Sequence, residues 1–269
     1  MWAREFPGSL MAKRAKSQTS AAGPPPGTAP LRGTRRAAAR GGDQTRAPSP
    51  DVVLNAPWAT DLSEELKRRV MAETLVRLIP SGGFVCRKGD RAEHWIGIVS
   101  GLVKVSSVSP EGKPTTFIGV PSGGWFGEGA LLKRESRRYD AIALRSSVVA
   151  YMPRNTFFLL LDTNVHFNRF LLLQLNERLG QFVAMVEHQR FLRPDARVAA
   201  ELAALFNPVL YPGNHSILPI SQEELGPLLG LSRQRVNSAL HRLERAGLLT
   251  VDYGGVTVKD VQGLREYAG

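Results

Sequence analysis

Hydrophobic and polar positions along this chain fall into three regimes. From Pro80 to Tyr151 they alternate in short runs broken by glycines. Residues 84–90, 95–101, 102–108, 115–120, 139–144 and 148–152 each read as a strand, because a period of two sends successive side chains to opposite faces. Gly89, Gly101, Gly112 and the Gly123-Gly124 pair supply the turns. Many short strands with glycine turns predict a compact antiparallel barrel or jelly roll.

Between 164 and 190 the period changes. Val165, Asn168, Leu172, Leu175, Leu179, Phe182, Val186 and Gln189 recur at alternating spacings of three and four. That is a heptad-like seam on a helix about 39 Å long. The same stripe would also serve as a core contact against the β-rich region. Phe167, Phe170, Leu171 and Leu173 lie partly off the seam and offer a second apolar face. One face for the strands and one for a partner is the economical assignment. Pro194-Asp195 opens the next helix, with Val198, Leu202 and Leu205 on one side, so residues 190–194 read as a hinge.

The third regime, 220–258, predicts two short helices and a glycine-centred hairpin. Ser221 with Glu224 three residues on is a capping box, and Leu225, Leu228 and Leu229 give the first helix its buried stripe. Pro227 removes a backbone bond inside that helix and is expected to bend or shorten it. Gly230 ends it and Ser232 caps the next. From Arg233 on, Val236, Ala239, Leu240 and Leu243 fall on one side of the wheel. Gln234, Ser238, His241 and Arg245 fall opposite, with Arg233, Arg235 and Asn237 on the flanks. Gly247 stops the helix, and residues 249–258 form the hairpin. Helix, turn, helix and wing in this order form a winged helix-turn-helix, which puts its second helix into the major groove of double-stranded DNA. An ordinary helical hairpin with a solvated charged face is the competing account. The candidate DNA contacts are Ser221 and Gln222 at the start of the first helix and Ser232 at the turn. On the second helix they are Arg233, Gln234, Arg235, Asn237, Ser238, His241 and Arg242.

A length of 269 residues with 43% hydrophobic content allows about two domains with real cores. No apolar run approaches the roughly eighteen residues of a membrane span. The single Cys86 excludes a disulfide framework, a four-cysteine iron–sulfur site and a zinc ribbon, and fits a reducing cytoplasm. Of the net charge of +11, +7 sits in residues 1–50, where nine Lys and Arg face two acids. That segment is rich in Pro, Gly, Ala, Ser and Thr and reads as a disordered basic tail. Three readings compete for it: an over-extended start with the true one at Met11 or later, a basic arm touching DNA, or a targeting peptide.

The run Gly124-Trp125-Phe126-Gly127-Glu128-Gly129-Ala130-Leu131-Leu132, with Arg137-Arg138 some ten residues later, resembles the phosphate-binding cassette of cyclic-nucleotide-binding β-rolls. A β-roll, a long helix and a winged helix together resemble the cyclic-AMP receptor/fumarate-nitrate regulator (CRP/FNR) family of bacterial transcription regulators, from about Asp51 to the C-terminus. The resemblance implies an α+β fold. Residues 51–162 would be the β-roll, 163–192 the dimerisation helix and hinge, and 193–269 the DNA-binding domain. It further implies a homodimer through residues 165–189, RNA polymerase as a partner, and a cyclic nucleotide as candidate effector. By motif, Glu128 would accept the ribose hydroxyl and Arg138 would hold the phosphate. Gly127 and Gly129 would admit the backbone close to the ligand, and Ala130 and Tyr139 would complete the set.

Two positions depart from that pattern. Tyr139 replaces the small hydroxyl residue that follows the arginine in cyclic-AMP binders. Phe182-Val183-Ala184 replaces the hydroxyl pair that holds the base. Asp140, two residues beyond Arg138, is expected to share its strand face, to pair with it and to repel an anion. Relatives that read the best-known operator resemble Arg-Glu…Arg where this chain has Arg233, Gln234 and Ser238, which implies a different operator. His94 and Cys86 are candidate haem ligands, and nothing marks them out. A metal-dependent jelly-roll enzyme or a signalling module that binds no DNA is the alternative. His94 stands without the ligand cluster such an enzyme needs.

Overall fold

The computed structural model describes residues 49–267 apart from 110, 113, 215 and 253. The basic tail therefore lies, but for its last two positions, outside the described residues. Two 3-10 turns (Pro50–Asn55 and Pro57–Ala59) lead to α1 (Glu64–Glu73), whose cap Ser63 accepts the Leu66 N–H at 3.3 Å. Eight strands follow: β1 (Leu75–Ile79), β2 (Phe84–Cys86), β3 (His94–Ser100), β4 (Leu102–Val108), β5 (Pro114–Pro121), β6 (Trp125–Phe126), β7 (Asp140–Ala143) and β8 (Ser147–Pro153). A short helix α2 (Glu128–Lys133) sits between β6 and β7.

The strands make two four-stranded antiparallel sheets, in the orders β1-β8-β3-β6 and β2-β7-β4-β5. Ile96, Ile98, Val103, Val105, Val120, Phe126 and Val149 fill the space between them. This is the expected jelly roll, with edges the pattern did not reveal. In α1 only Val70 is buried, too thin an apolar face to show as a period. β6 has two residues. The apolar run in α3 (Arg154–Thr163) is short enough to fit a helix or a strand equally.

Asn164 caps the long helix α4 (Val165–Phe191), accepting the Phe167 N–H at 2.8 Å. Phe167, Leu171 and Gln174 are buried against the roll. There Phe167 joins Trp58, Trp95, Trp125 and Phe157 in one aromatic cluster, with the Trp95 and Trp125 rings 4.3 Å apart. A neighbouring stripe of the helix carries exposed Leu172, Leu175, Leu179, Val183 and Val186, Leu179 at 63%. Leu173, expected on the roll-facing side, is exposed with them.

At the hinge, Leu192 and Arg193 are extended; Pro194 disfavours the helical conformation of Arg193, the residue before it. Then come α5 (Pro194–Ala204), β9 (Ile217–Leu218), α6 (Gln222–Leu229), α7 (Arg233–Arg245), β10 (Leu249–Asp252), β11 (Gly255–Val258) and α8 (Val261–Glu266). The last three strands pair in the order β10-β11-β9. Their core gathers Val198, Leu202, Leu225, Val236, Leu240, Leu243, Leu249 and Val256. The roll and this second core touch directly. Leu210 and Tyr211, after α5, are buried in the roll's interior, and Arg145 reaches Glu224 at 3.4 Å.

Candidate nucleic-acid interface and effector pocket

The turn between α6 and α7 is built by local chemistry. Ser221 Oγ accepts the Glu224 N–H at 3.2 Å, and Glu224 Oε2 accepts the Ser221 N–H at 2.7 Å, which satisfies two otherwise free donors reciprocally. Gly230 ends α6 at φ +62, a left-handed conformation that costs a residue with a side chain more. Ser232 Oγ then accepts the Arg235 N–H at 3.4 Å and starts α7. Pro227 stands in an α6 of only eight residues, two short of its end.

Val236, Ala239, Leu240 and Leu243 anchor α7 in the core. Ser232, Arg233, Gln234, Arg235, Ser238 and His241 are exposed, while Asn237, Ser221 and Gln222 are half-buried. This face is polar and basic, suited to phosphates and to base edges. Glu244 ties it to the wing by accepting the Val251 N–H at 3.0 Å. Arg242 is exposed as well and is also tied to α5: Asp195 Oδ2 accepts from its Nη1 at 2.7 Å.

The roll pocket is a cavity of about 250 Å³ lined by Phe117, Phe126, Tyr139 and Phe182 together with the cassette residues Gly127, Glu128, Gly129, Ala130 and Arg138. Gly127 caps α2 at φ +92, and an added Cβ would lie 2.0 Å from Arg137 Nη1. Arg137, not Arg138, is the buried arginine, at 3% exposure, and donates to the carbonyls of Gly127 and His94. Arg138 lies at the pocket mouth. Glu135 accepts from it at 2.9 Å and from Lys133 at 3.2 Å. The expected Asp140 partner is a correction: Asp140 Oδ1 accepts the Lys88 N–H at 2.8 Å. Arg138 precedes β7, so the strand period does not relate the two residues.

Glu128 is buried to 4% exposure and paired with Arg178 of α4 at 3.4 Å. Arg178 also donates to the Trp125 carbonyl at 2.8 Å. Glu128 Oε2 has no hydrogen-bond partner among the described residues, so a ligand hydroxyl or N–H placed there would satisfy it. Burial pushes the Tyr139 phenol up to about 12, which keeps it neutral. It pushes the Cys86 thiol to about 11, so this cysteine stays protonated at neutral pH.

Two family models match. The cyclic nucleotide-binding domain covers residues 76–164, and the Crp-like helix-turn-helix domain covers residues 196–267. The transcriptional regulator SdrP of Thermus thermophilus is 30% identical over 182 residues, which are 66% of this chain and 84% of that protein. The chain belongs to the CRP/FNR family of transcription regulators.

The cyclic AMP receptor protein of Thermus thermophilus is 27% identical over 192 residues, 71% of this chain and 87% of its own length. The crystal structure of a CRP/FNR-family transcriptional regulator from the same organism matches at 27% identity and a TM-score of 0.52, covering 73% of this chain and all of that one. The chain is thus a DNA-binding transcription regulator with a cyclic-nucleotide-binding-type domain, and the enzyme alternative falls. Among the described residues no group of three or more His, Cys, Asp and Glu is arranged for a metal, and no helix is long and apolar enough to cross a membrane.

Within this CRP/FNR chain, nothing in the cassette motif pointed to Arg178, Lys133 or Glu135. Arg178 did leave a signal. It follows Leu171 and Gln174 on the roll-facing stripe of α4, where a charge needs a buried partner.

Proposed function

We propose that two copies pair along α4 and set their α7 helices into successive major grooves, about 34 Å apart, of a pseudo-palindromic operator. The roll pocket takes a small effector that shifts the pair into register. The observation that carries this reading is the combination on one chain of an exposed leucine and valine stripe on α4 and an exposed polar face on α7, each backed by a packed core. Gln234 and Ser238 in place of larger charged residues support an operator of their own, with one base contact fewer at Ser238. RNA polymerase is the downstream partner, and the cytoplasm the compartment. Binding-site selection on purified protein, with light scattering of the complex, tests this. A two-fold symmetric site bound by two chains is the expected result, and a monomer on an asymmetric site would overturn it.

Cyclic nucleotides are the reference effector class, and the pocket offers them a weakened site. Its mouth cations Arg138 and Lys133 share Glu135, and its floor cation Arg178 is engaged by Glu128. Phe182 and Tyr139 stand where hydroxyls would hold base and phosphate. We infer that cyclic AMP binds the native chain weakly or not at all. A thermal-shift screen of cyclic nucleotides and other small effectors identifies the true ligand, since whatever binds the folded state raises its apparent stability.

A further inference from the structure

The first turn of α5, directly after the hinge, grips both helices of the helix-turn-helix. Asp195 is buried to 5% exposure, and its Oδ2 accepts Arg242 Nη1 at 2.7 Å, with Arg193 at 4.0 Å. Two residues on, Arg197 Nη2 donates at 2.8 Å to the carbonyl of Leu229, the last residue of α6. That carbonyl has no partner within its own helix. Both α6 and α7 are therefore pinned to the same turn by charged groups.

Apolar packing alone would not fix that geometry. Val236, Ala239, Leu240 and Leu243 share a core with Val198 and Leu202 of α5, but such contacts are non-directional and leave a helix free to slide or roll slightly. A charge-assisted hydrogen bond is short and directional and removes this freedom at one point. Hydrogen bonds to base edges weaken steeply with misalignment, so the pose of α7 decides how well its outer face reads sequence.

We propose that Asp195 and Arg242 are positioning residues for DNA reading. Their pair locks the recognition helix to the hinge-proximal turn of α5, and Arg242 acts through Asp195 rather than on the DNA. The inference rests on α7 being the reading helix. Failure of the native protein to prefer its selected operator over scrambled duplex would sink that premise. The results below bear on the pair alone.

Full-length Asp195→Asn, Arg242→Met and the double variant are titrated with operator and scrambled duplex across a salt series. Each single variant should weaken operator binding about tenfold, and the double variant should be no worse than either, because both break one unit. Scrambled-DNA affinity should not fall, and the salt slope should be unchanged. The proposal is overturned if Arg242→Met weakens both duplexes alike and flattens the slope by about 0.9 while Asp195→Asn does not, as a phosphate contact requires. Additive losses in the double variant overturn it too. Should truncation unfold the domain, Asp195→Glu and Arg242→Lys keep both charges and carry the same comparison: operator affinity should drop at unchanged Tm and unchanged scrambled-DNA affinity. Retention of full operator preference by both would refute the lock.

Discussion

Arg233 and Gln234 open α7 with exposed side chains, and the start of a recognition helix is the part that leads into the groove. Arginine pairs with guanine O6 and N7, and glutamine suits adenine. Arg233→Ala should cost about 1–3 kcal/mol of operator affinity and relax preference at one base pair per half-site. Arg235, nearer the helix edge, should behave differently: Arg235→Ala weakens all sequences alike and flattens the salt dependence. Binding-site selection with both variants separates the two, and an unchanged base profile for Arg233→Ala would show that another residue reads that position. Glu201, on α5, is a different kind of residue. Burial raises its carboxyl above the ordinary range, Arg197 offsets this only in part, and Oε1 has no hydrogen-bond partner among the described residues. A carboxyl with a raised folded-state pKa destabilises the fold above that pKa, and protonation relieves the cost as pH falls. Glu201→Gln should therefore stabilise the protein by about 1 kcal/mol at neutral pH. In urea melts the gain should shrink towards zero as pH approaches the ordinary 4.5. A variant less stable than the native chain at neutral pH would mean that the charge is used.

At the scale of elements, α4 packs one face on the roll and leaves an apolar stripe exposed. Phe167 and Leu171 close the roll, and Leu172, Leu175, Leu179 and Val186 remain exposed. Glutamates at Leu175 and Leu179 would place charge in the proposed seam while leaving the roll-facing side untouched. Light scattering should then report monomers with native secondary structure, and an unaltered mass would reassign the dimer contact. The exposed stripe of Leu172, Leu175 and Leu179 was legible in the spacing of apolar residues, but Leu173 proves exposed and Phe182, expected in the seam, lines the roll pocket. The hinge was legible too, because Pro194 dictates its own neighbourhood. The capping box at Ser221 and the left-handed stop at Gly230 were legible for the same reason: both are local chemistry within four residues. What stayed hidden depends on distant partners. Arg242 lies on a helical wheel beside the polar face, and only the fold brings Asp195, 47 positions away, to it. The assignment of Asp140 to Arg138 assumed a strand that starts later than expected. α1 and β6 carry too few buried residues to leave a period.

For the whole molecule, the proposed effector control makes the roll pocket and the DNA face one linked system. Any effector that favours DNA binding must itself bind more tightly when operator is present, by the same factor. The weak cyclic-AMP binding proposed above rests on two features of the pocket: Glu135 pairs with Arg138 at its mouth, and Tyr139 lines it in place of a small hydroxyl residue. Glu135→Gln with Tyr139→Ser removes both obstacles, leaves the buried Glu128–Arg178 pair in place, and frees Arg138 at the mouth. Calorimetry should show cyclic-AMP binding that is weak or absent in the native chain and at least about tenfold tighter in the double variant, as removal of one competing charge permits. Adding operator duplex should tighten it further if the roll drives the reading heads, and leave it unchanged if the pocket is uncoupled from them. Tight cyclic-AMP binding by the native chain would overturn the account of the pocket, because it would mean that the anion displaces Glu135 without help.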